Sequence, residues 1–367
     1  MGKSKAWFFK WLDRYRCGEV KWYTDRQRTP KQVSGKTSSE MEEIIKLTRQ
    51  NLYNEDVFCG AQAIHWELTE LGVPELPSLR TINRIISRND LTHRRTGRYE
   101  PKGVPYPQFN TKVPNHRHQL DFVGPRHLRT NGEKALRFYS LNVVDLATGR
   151  CGVQPIYSKS GDAVYGAIWD IWKRLGMPRH LQVDNEFAFY GSPTHPRGMG
   201  PLIRLCLKYG IDLWFIPPSE PWRNSVVEQF NNHLQQKFLD RVVMENKEEL
   251  REGSLKYEYK HNSRYRYSKL GGKTPLATLE NHNGLKFLFP NPEEPIPTMS
   301  LTKPKTGRYH LIRHIRGDGV LNVFGEKFKL PPELNYEYVV ATVDVEQQRL
   351  LIIHDQKQKL DFGYKLR

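Results

Sequence analysis

The order of strand-like and helix-like runs constrains this chain more than any other feature. From His116 onward the pattern turns extended: Gln119–Gly124, Leu136–Asp145 and Gly149–Tyr157 are rich in β-formers, and the turn-like Ala147-Thr148-Gly149 divides the last two. Residues 162–175 then space Val164, Ile168, Ile171, Trp172 and Leu175 along one side of an amphipathic helix, which Gly176 and Pro178 stop. A strand at 181–183, a helix at 201–209, a strand at 211–216 and a long helix at 222–241 complete the series. The order β-β-β-α-β-α-β-α predicts a mixed sheet with helices on its faces.

Three carboxylates sit on that series. Asp121 is centred in the otherwise apolar run Gln119-Leu-Asp-Phe-Val-Gly124, where an unpaired buried charge would cost many kcal/mol. Asp184 ends the run Leu181-Gln-Val-Asp184, and Glu228 lies in the helix-like Ser225-Val-Val-Glu228. No Arg or Lys stands within three positions of Asp184 or four of Glu228, so a metal would have to supply the neutralising charge. Phosphodiester cleavage needs an activated water or hydroxyl and a neutralised leaving oxygen, and two Mg2+ or Mn2+ ions about 4 Å apart between carboxylates provide both. Asp121, Asp184 and Glu228 are therefore the expected catalytic and metal-binding residues.

The remaining sequence suits a polyanionic partner. Among 367 residues, 57 Lys and Arg against 40 Asp and Glu leave a net charge of +17 and a pI near 9.6. The four cysteines are far apart with no CxxC pair, which argues against a zinc finger or a disulfide framework and for a reducing compartment. No apolar run approaches membrane-spanning length and MGKSKAWFFKW lacks a signal-peptide core, so a soluble, cytoplasmic protein without membrane partners is expected.

Residues 4–17 form a short basic amphipathic helix followed by a basic linker to residue 37. Ser38-Ser39 with Glu42 reads as a helix start, a second helix spans 60–71, and a third, 78–87, follows the break Gly72-Val-Pro74. The last two fit a helix-turn-helix unit, with Ser78, Arg80, Thr81, Asn83 and Arg84 turned toward a DNA major groove; a plain three-helix bundle is the alternative. The basic, proline-containing stretch 92–115, with Arg94, Arg95 and Arg98, reads as a linker tracking DNA. Residues 290–306 hold five prolines and mark a further linker, and short β runs from Val320 to Gly363 suggest a small five-stranded barrel. The expected plan is multidomain: 1–37 partial helix-turn-helix and basic linker, 38–91 all-α helix-turn-helix domain, 92–115 linker, 116–280 α/β ribonuclease-H-like core with a mixed sheet, 281–306 linker and 307–367 small β-barrel.

His118-Gln-Leu-Asp-Phe-Val-Gly-Pro125, Val183-Asp-Asn-Glu-Phe187 and Pro217-Pro-Ser-Glu-Pro-Trp-Arg-Asn-Ser-Val-Val-Glu-Gln-Phe-Asn231 resemble the three acidic motifs of retroviral-integrase-like Asp-Asp-Glu transposases from bacterial insertion sequences. The likeness covers nearly the whole chain. Trp11–Arg16 with Asp25–Pro30 looks like the end of such a transposase's first helix-turn-helix, and 60–83 like its second. Two departures stand out: Glu186 occupies the place of the family's glycine after Asp-Asn, and Ser225 that of the glycine before the final acid. The resemblance implies cleavage of element ends and transfer of the 3′-hydroxyl to target DNA, ligands for two Mg2+ or Mn2+ ions at the three acids, and a homo-oligomer on double-stranded DNA carrying the terminal repeats. It further implies a nucleoid-associated protein, DNA contacts from Trp222, Arg223 and Asn224, and a supporting role for Asn185 and Glu186. A structure-specific nuclease on the same fold, a domesticated non-catalytic DNA-binding protein and an RNA-binding regulator are the competing readings.

Overall fold

The computed structural model describes residues 2–25, 37–55, 57–89, 91, 106–107, 109, 111–128, 136–191, 195, 197–282, 284–294, 296 and 303–366. The chain divides into two compact units, Met1–Lys46 and Leu47–Arg367. In the first, α1 (Lys5–Arg16) is capped by Ser4, whose hydroxyl accepts from Trp7 N, and Arg14 reaches Thr24 O at 2.8 Å. Ser38 Oγ accepts from Met41 N and starts α2 (Ser39–Asn54), as its sequence suggested; the division between the units falls inside this helix.

In the second unit, α3 (Ala61–Glu70) and α4 (Leu79–Arg88) pack together through Ala61, Ile64, Leu68, Ile82, Ile85 and Ile86. Residues 71–78 join them, a longer connection than the 3–4 residues of a tight helix-turn-helix. Arg49 from the end of α2 bonds to the carbonyls of Cys59 and Leu91.

The mixed α/β core follows the expected order closely. Its elements are β1 (Arg117–Leu128), β2 (Leu136–Asp145), β3 (Cys151–Ile156), α5 (Gly161–Leu175), β4 (His180–Val183), α6 (Phe187–Tyr190), α7 (Pro201–Lys208) and β5 (Asp212–Phe215). The helix expected at 222–241 is instead three pieces: a 3-10 turn at Pro221–Asn224, α8 (Ser225–Leu234) and a π-helical turn at Gln235–Leu239. Pro221 lacks the amide N–H that a longer helical start would use, which suits the short 3-10 entry. Then come α9 (Lys247–Arg264) and α10 (Pro275–Glu280).

Six C-terminal strands follow the core: β6 (Arg308–His314), the hairpin β7 (Val320–Val323) and β8 (Glu326–Lys329), and β9 (Tyr338–Asp344), β10 (Arg349–His354) and β11 (Lys357–Gly363). The expectation of a separate C-terminal barrel fails here. β6 pairs parallel with β5, so four of these strands continue the core sheet in the order β11-β10-β9-β6-β5-β4-β1-β2-β3, leaving β7-β8 as a two-stranded ladder. Burial explains the preference: Tyr309, Leu311, Val339, Ala341, Val343 and Leu350 join the same apolar cluster as Leu181, Leu213 and Trp169. The proposed linker at 281–306 is also tied to the core, with Leu288 bridged to Met177.

Alternation along the strands sends side chains to two faces. Leu120, Leu141, Val143, Leu181 and Leu213 meet α5 and α7 on one side. Val123, Phe138, Val144 and Val153 meet Val227, Phe230 and Leu234 of α8 and Tyr257 of α9 on the other. Gly152 allows α5 this close to β3, since a Cβ there would run into Ile171. All four cysteines are free, and no described helix is long and apolar enough to cross a membrane.

Candidate active site

On the α8 side of the sheet, the apolar face gives way to a polar set by the period-2 rule alone. Gln119 and Asp121 on β1 alternate with buried Leu120, and Gln182 and Asp184 on and just after β4 alternate with buried Val183. β1 and β4 run parallel with Gln119 level with Gln182. The same register carried two residues further sets Asp121 level with Asp184, on neighbouring strands. Across the antiparallel β1-β2 pair, Asp121 stands opposite Asn142.

The third acid arrives on a helix that is fastened to both strands. Gln119 Nε2 donates to Arg223 O at 3.2 Å, while its Oε1 accepts from Val227 N at 3.1 Å. Gln182 Nε2 donates to the same Arg223 O at 2.8 Å, and Arg117 props the other end of that amide at 2.9 Å. Asn224 is buried, donating to Leu120 O at 3.1 Å. These bonds pin the first turn of α8, where Glu228 lies, against the strands that carry Asp121 and Asp184. One turn further, Asn231 Nδ2 donates to Asp121 Oδ2 at 2.9 Å and is itself held by Asn142, which Ser140 orients in turn.

The carboxylates lie near enough to one another to raise each other's pKa. Burial, then Asp184, raises the Asp121 carboxyl to about 7; Glu228 and Glu186 push the same way, and the Phe122 N–H bond to its Oδ1 opposes them. Burial and Glu186 raise Asp184, although the Glu186 N–H that bonds its Oδ1 at 3.1 Å works against this. Burial and Asp184 raise Glu228. One cation is closer than the sequence implied: Lys159 forms an ion pair with Glu186, lies over the Phe122 ring at 4.5 Å and lowers Asp184 slightly. It is distant in sequence, so counting neighbours along the chain missed it.

Hard divalent cations prefer carboxylate oxygens, and Asp121, Asp184 and Glu228 offer only those. Among the described residues, no three acidic, His or Cys side chains are drawn together tightly enough to hold an ion as they stand. The donor chemistry and the mutual repulsion, which Lys159 and two backbone N–H groups relieve only in part, fit a divalent cation. Closing a shell would take side-chain adjustment plus water or phosphate oxygens.

The other expected site residues fall in varied settings. Asn185 is spent within the protein, donating to Ile216 O at 2.6 Å and accepting from Arg313 at 2.8 Å. Glu186 starts α6. Arg223 is engaged by Glu220 and Tyr338 and covers the Tyr106 ring at 3.7 Å; Trp222 is exposed, whereas Asn224 faces inward. Ser78 caps α4, with Thr81 half-buried beside it, and Arg80, Asn83 and Arg84 are exposed on that helix. Arg94, Arg95 and Arg98 lie outside the described residues. Gln119, Gln182, Asn142 and Asn231 were overlooked, although the repeated Gln-apolar-Asp spacing at 119–121 and 182–184 was a visible signal.

Solved structures similar to this chain include the magnesium complex of the HTLV-2 integrase catalytic core domain in dimeric form, at 22% identity over 46% of this chain and 97% of that one, with a TM-score of 0.34. The simian T-cell lymphotropic virus intasome in complex with the PP2A regulatory subunit B56 gamma is 17% identical over 88% of this chain and 97% of that one, with a TM-score of 0.38. The catalytic core domain of BIV integrase is 20% identical over 46% and 96%, with a TM-score of 0.34. No protein-family model and no curated protein matches the chain.

Proposed function

We propose that this chain is a DNA transposase or integrase of the Asp-Asp-Glu type, of the kind found in bacterial insertion sequences, cutting element ends and transferring the 3′-hydroxyl to target DNA. The observation that carries the reading is that Gln119 and Gln182, each two residues before an acid on the parallel strands β1 and β4, both bond to Arg223 O at the start of the helix carrying Glu228, with Asp121 raised to about 7 by burial and by the other acids. Carboxylates held together against their own repulsion are poised for cations.

Asp121 and Asp184 hold the inner sides of the site and Glu228 closes it from α8. Asn231 and the Phe122 N–H each hold one Asp121 oxygen and so fix the carboxylate's orientation. When bound, two Mg2+ or Mn2+ ions supply Lewis-acid activation of the attacking oxygen and neutralise the leaving one. The protein's own part is to keep these ligands oriented and to present the phosphodiester, with Arg80, Asn83 and Arg84 on α4 as duplex contacts. Double-stranded DNA, a homo-oligomer assembled on it and nucleoid association complete the proposal.

The test is a strand-transfer assay with labelled duplexes bearing free 3′ ends and supercoiled plasmid as target. Mg2+-dependent joined product, lost in Asp121→Asn, Asp184→Asn and Glu228→Gln, supports the proposal. Cleavage without joining would identify a nuclease instead, and activity unchanged in Asp121→Asn would refute the site.

A further inference from the structure

β6 delivers a buried cation to the back of the candidate active site. Arg313 is 5% exposed and, among the described residues, has no carboxylate as a hydrogen-bond partner. Its guanidinium instead donates to four oxygens: Nε to Asn322 O at 3.1 Å, one terminal nitrogen to Ile216 O at 3.1 Å and Ile312 O at 2.9 Å, and the other to Asn185 Oδ1 at 2.8 Å. Asn185 Nδ2 donates to Ile216 O at 2.6 Å, so the arginine and the asparagine share one carbonyl at the end of β5. Burying a cation this way is costly unless its donors are satisfied. Burial lowers its pKa only to about 9, so it stays charged at neutral pH.

The partner it grips is next to Asp184. Asp184 Oδ1 takes the Glu186 N–H at 3.1 Å, a bond that exists only while residues 184–186 keep their turn, and Asn185 is the middle of that turn. We propose that Arg313 is a positioning residue for Asp184, acting through Asn185, so that the C-terminal strands form part of the catalytic machinery. Without the Arg313 contact, Asn185 retains one tether and the 184–186 turn loosens, freeing the Asp184 carboxylate to rotate away from Asp121. Only a planar fork reaches four divergent acceptors, so lysine cannot replace it. This inference rests on the proposal that Asp184 binds a divalent cation.

The experiment is a Mn2+ titration of the full chain, following free Mn2+ by electron paramagnetic resonance, for wild type, Arg313→Lys, Asn185→Ala, the double variant and Asp184→Asn, with thermal unfolding in parallel. Outer-shell partners of a metal ligand typically change affinity on the order of 10-fold. Each single variant is expected to weaken the Asp184-dependent binding by up to about that factor, and the double variant no more than Asn185→Ala alone, because Arg313 acts only through Asn185. Unchanged affinity in Asn185→Ala, or factors that multiply in the double variant, would overturn the positioning role. If Arg313→Lys does not fold, Asn185→Ala, which removes no buried charge, decides the question. Wild-type binding indistinguishable from that of Asp184→Asn would instead refute the metal site itself.

Discussion

Replacing Asp121 by asparagine should stabilise the metal-free protein, and the structure gives the size. The carboxyl rises from 3.8 to about 7 on folding, chiefly through burial and the neighbouring Asp184. Each unit corresponds to about 1.4 kcal/mol, so the ionised group costs the fold at most about 4 kcal/mol once the pH exceeds 7. Asparagine removes that charge but offers a single acceptor oxygen where Asp121 now receives both Phe122 N and Asn231 Nδ2. Losing one such bond returns about 1 kcal/mol, and the partial solvent access of Asp121 trims the rest, leaving an expected gain of about 1 to 3 kcal/mol. A raised folded-state pKa means the penalty grows as pH climbs from 3.8 toward 7. Urea unfolding in EDTA should thus show the variant more stable at pH 8 and its advantage mostly gone at pH 5. Adding Mg2+ should stabilise wild type and leave the variant nearly unmoved. A variant less stable than wild type at pH 8, or an advantage independent of pH, would refute the reasoning.

Other parts of the fold give separate expectations. Gln119→Leu removes the acceptor of Val227 N and one donor to Arg223 O, and should cost about 1 to 3 kcal/mol in chemical denaturation while lowering cleavage more than folded yield. Burial lowers His118 and His233 to about 4 and His261 to about 3, so the unfolded chain gains protons that the folded one refuses. The histidine contribution, whole above pH 6.5, should therefore fall as pH drops toward 4, by up to about 1.4 kcal/mol per unit for each histidine; in the Asp121→Asn background, which removes the largest opposing carboxylate, a melting temperature flat between pH 7 and pH 5 would contradict this. Arg80→Ala and Arg84→Ala, both exposed on α4, should leave thermal stability within a degree or two and each reduce the salt dependence of DNA binding by roughly one phosphate contact. Affinity measured against salt concentration checks it.

Local pattern carried much of this fold. Val164, Ile168, Ile171, Trp172 and Leu175 marked α5 because all five pack into one apolar cluster, and the β-rich run 136–145 coincides with β2. The pairing of the C-terminal strands with the core sheet was not legible. β6 lies ahead of the β runs legible from Val320 onward, and nothing in residues 308–314 states that it will lie parallel to β5, whose last residue, Phe215, is far upstream. The broken course of 221–239 escaped notice for a similar reason: Val227, Phe230 and Leu234 keep a helical spacing that hides the changes of pitch before and after. Asp121 stood out because a lone acid in an apolar run violates the local rule. Gln119, Asn142, Gln182 and Asn231 did not, since an isolated amide is unremarkable until its partner on another element is known. Arg313 is the extreme case, one arginine among many until burial and four acceptors distinguish it.

The central claim is that Asp121, Asp184 and Glu228 hold divalent cations, and anomalous diffraction from crystals soaked in Mn2+ tests it most directly. A peak is expected between Asp121 and Asp184, with a second toward Glu228 when DNA is present, and none in Asp184→Asn crystals. A wild-type map without Mn2+ beside Asp121 and Asp184, under conditions in which the same protein cleaves DNA, would contradict it.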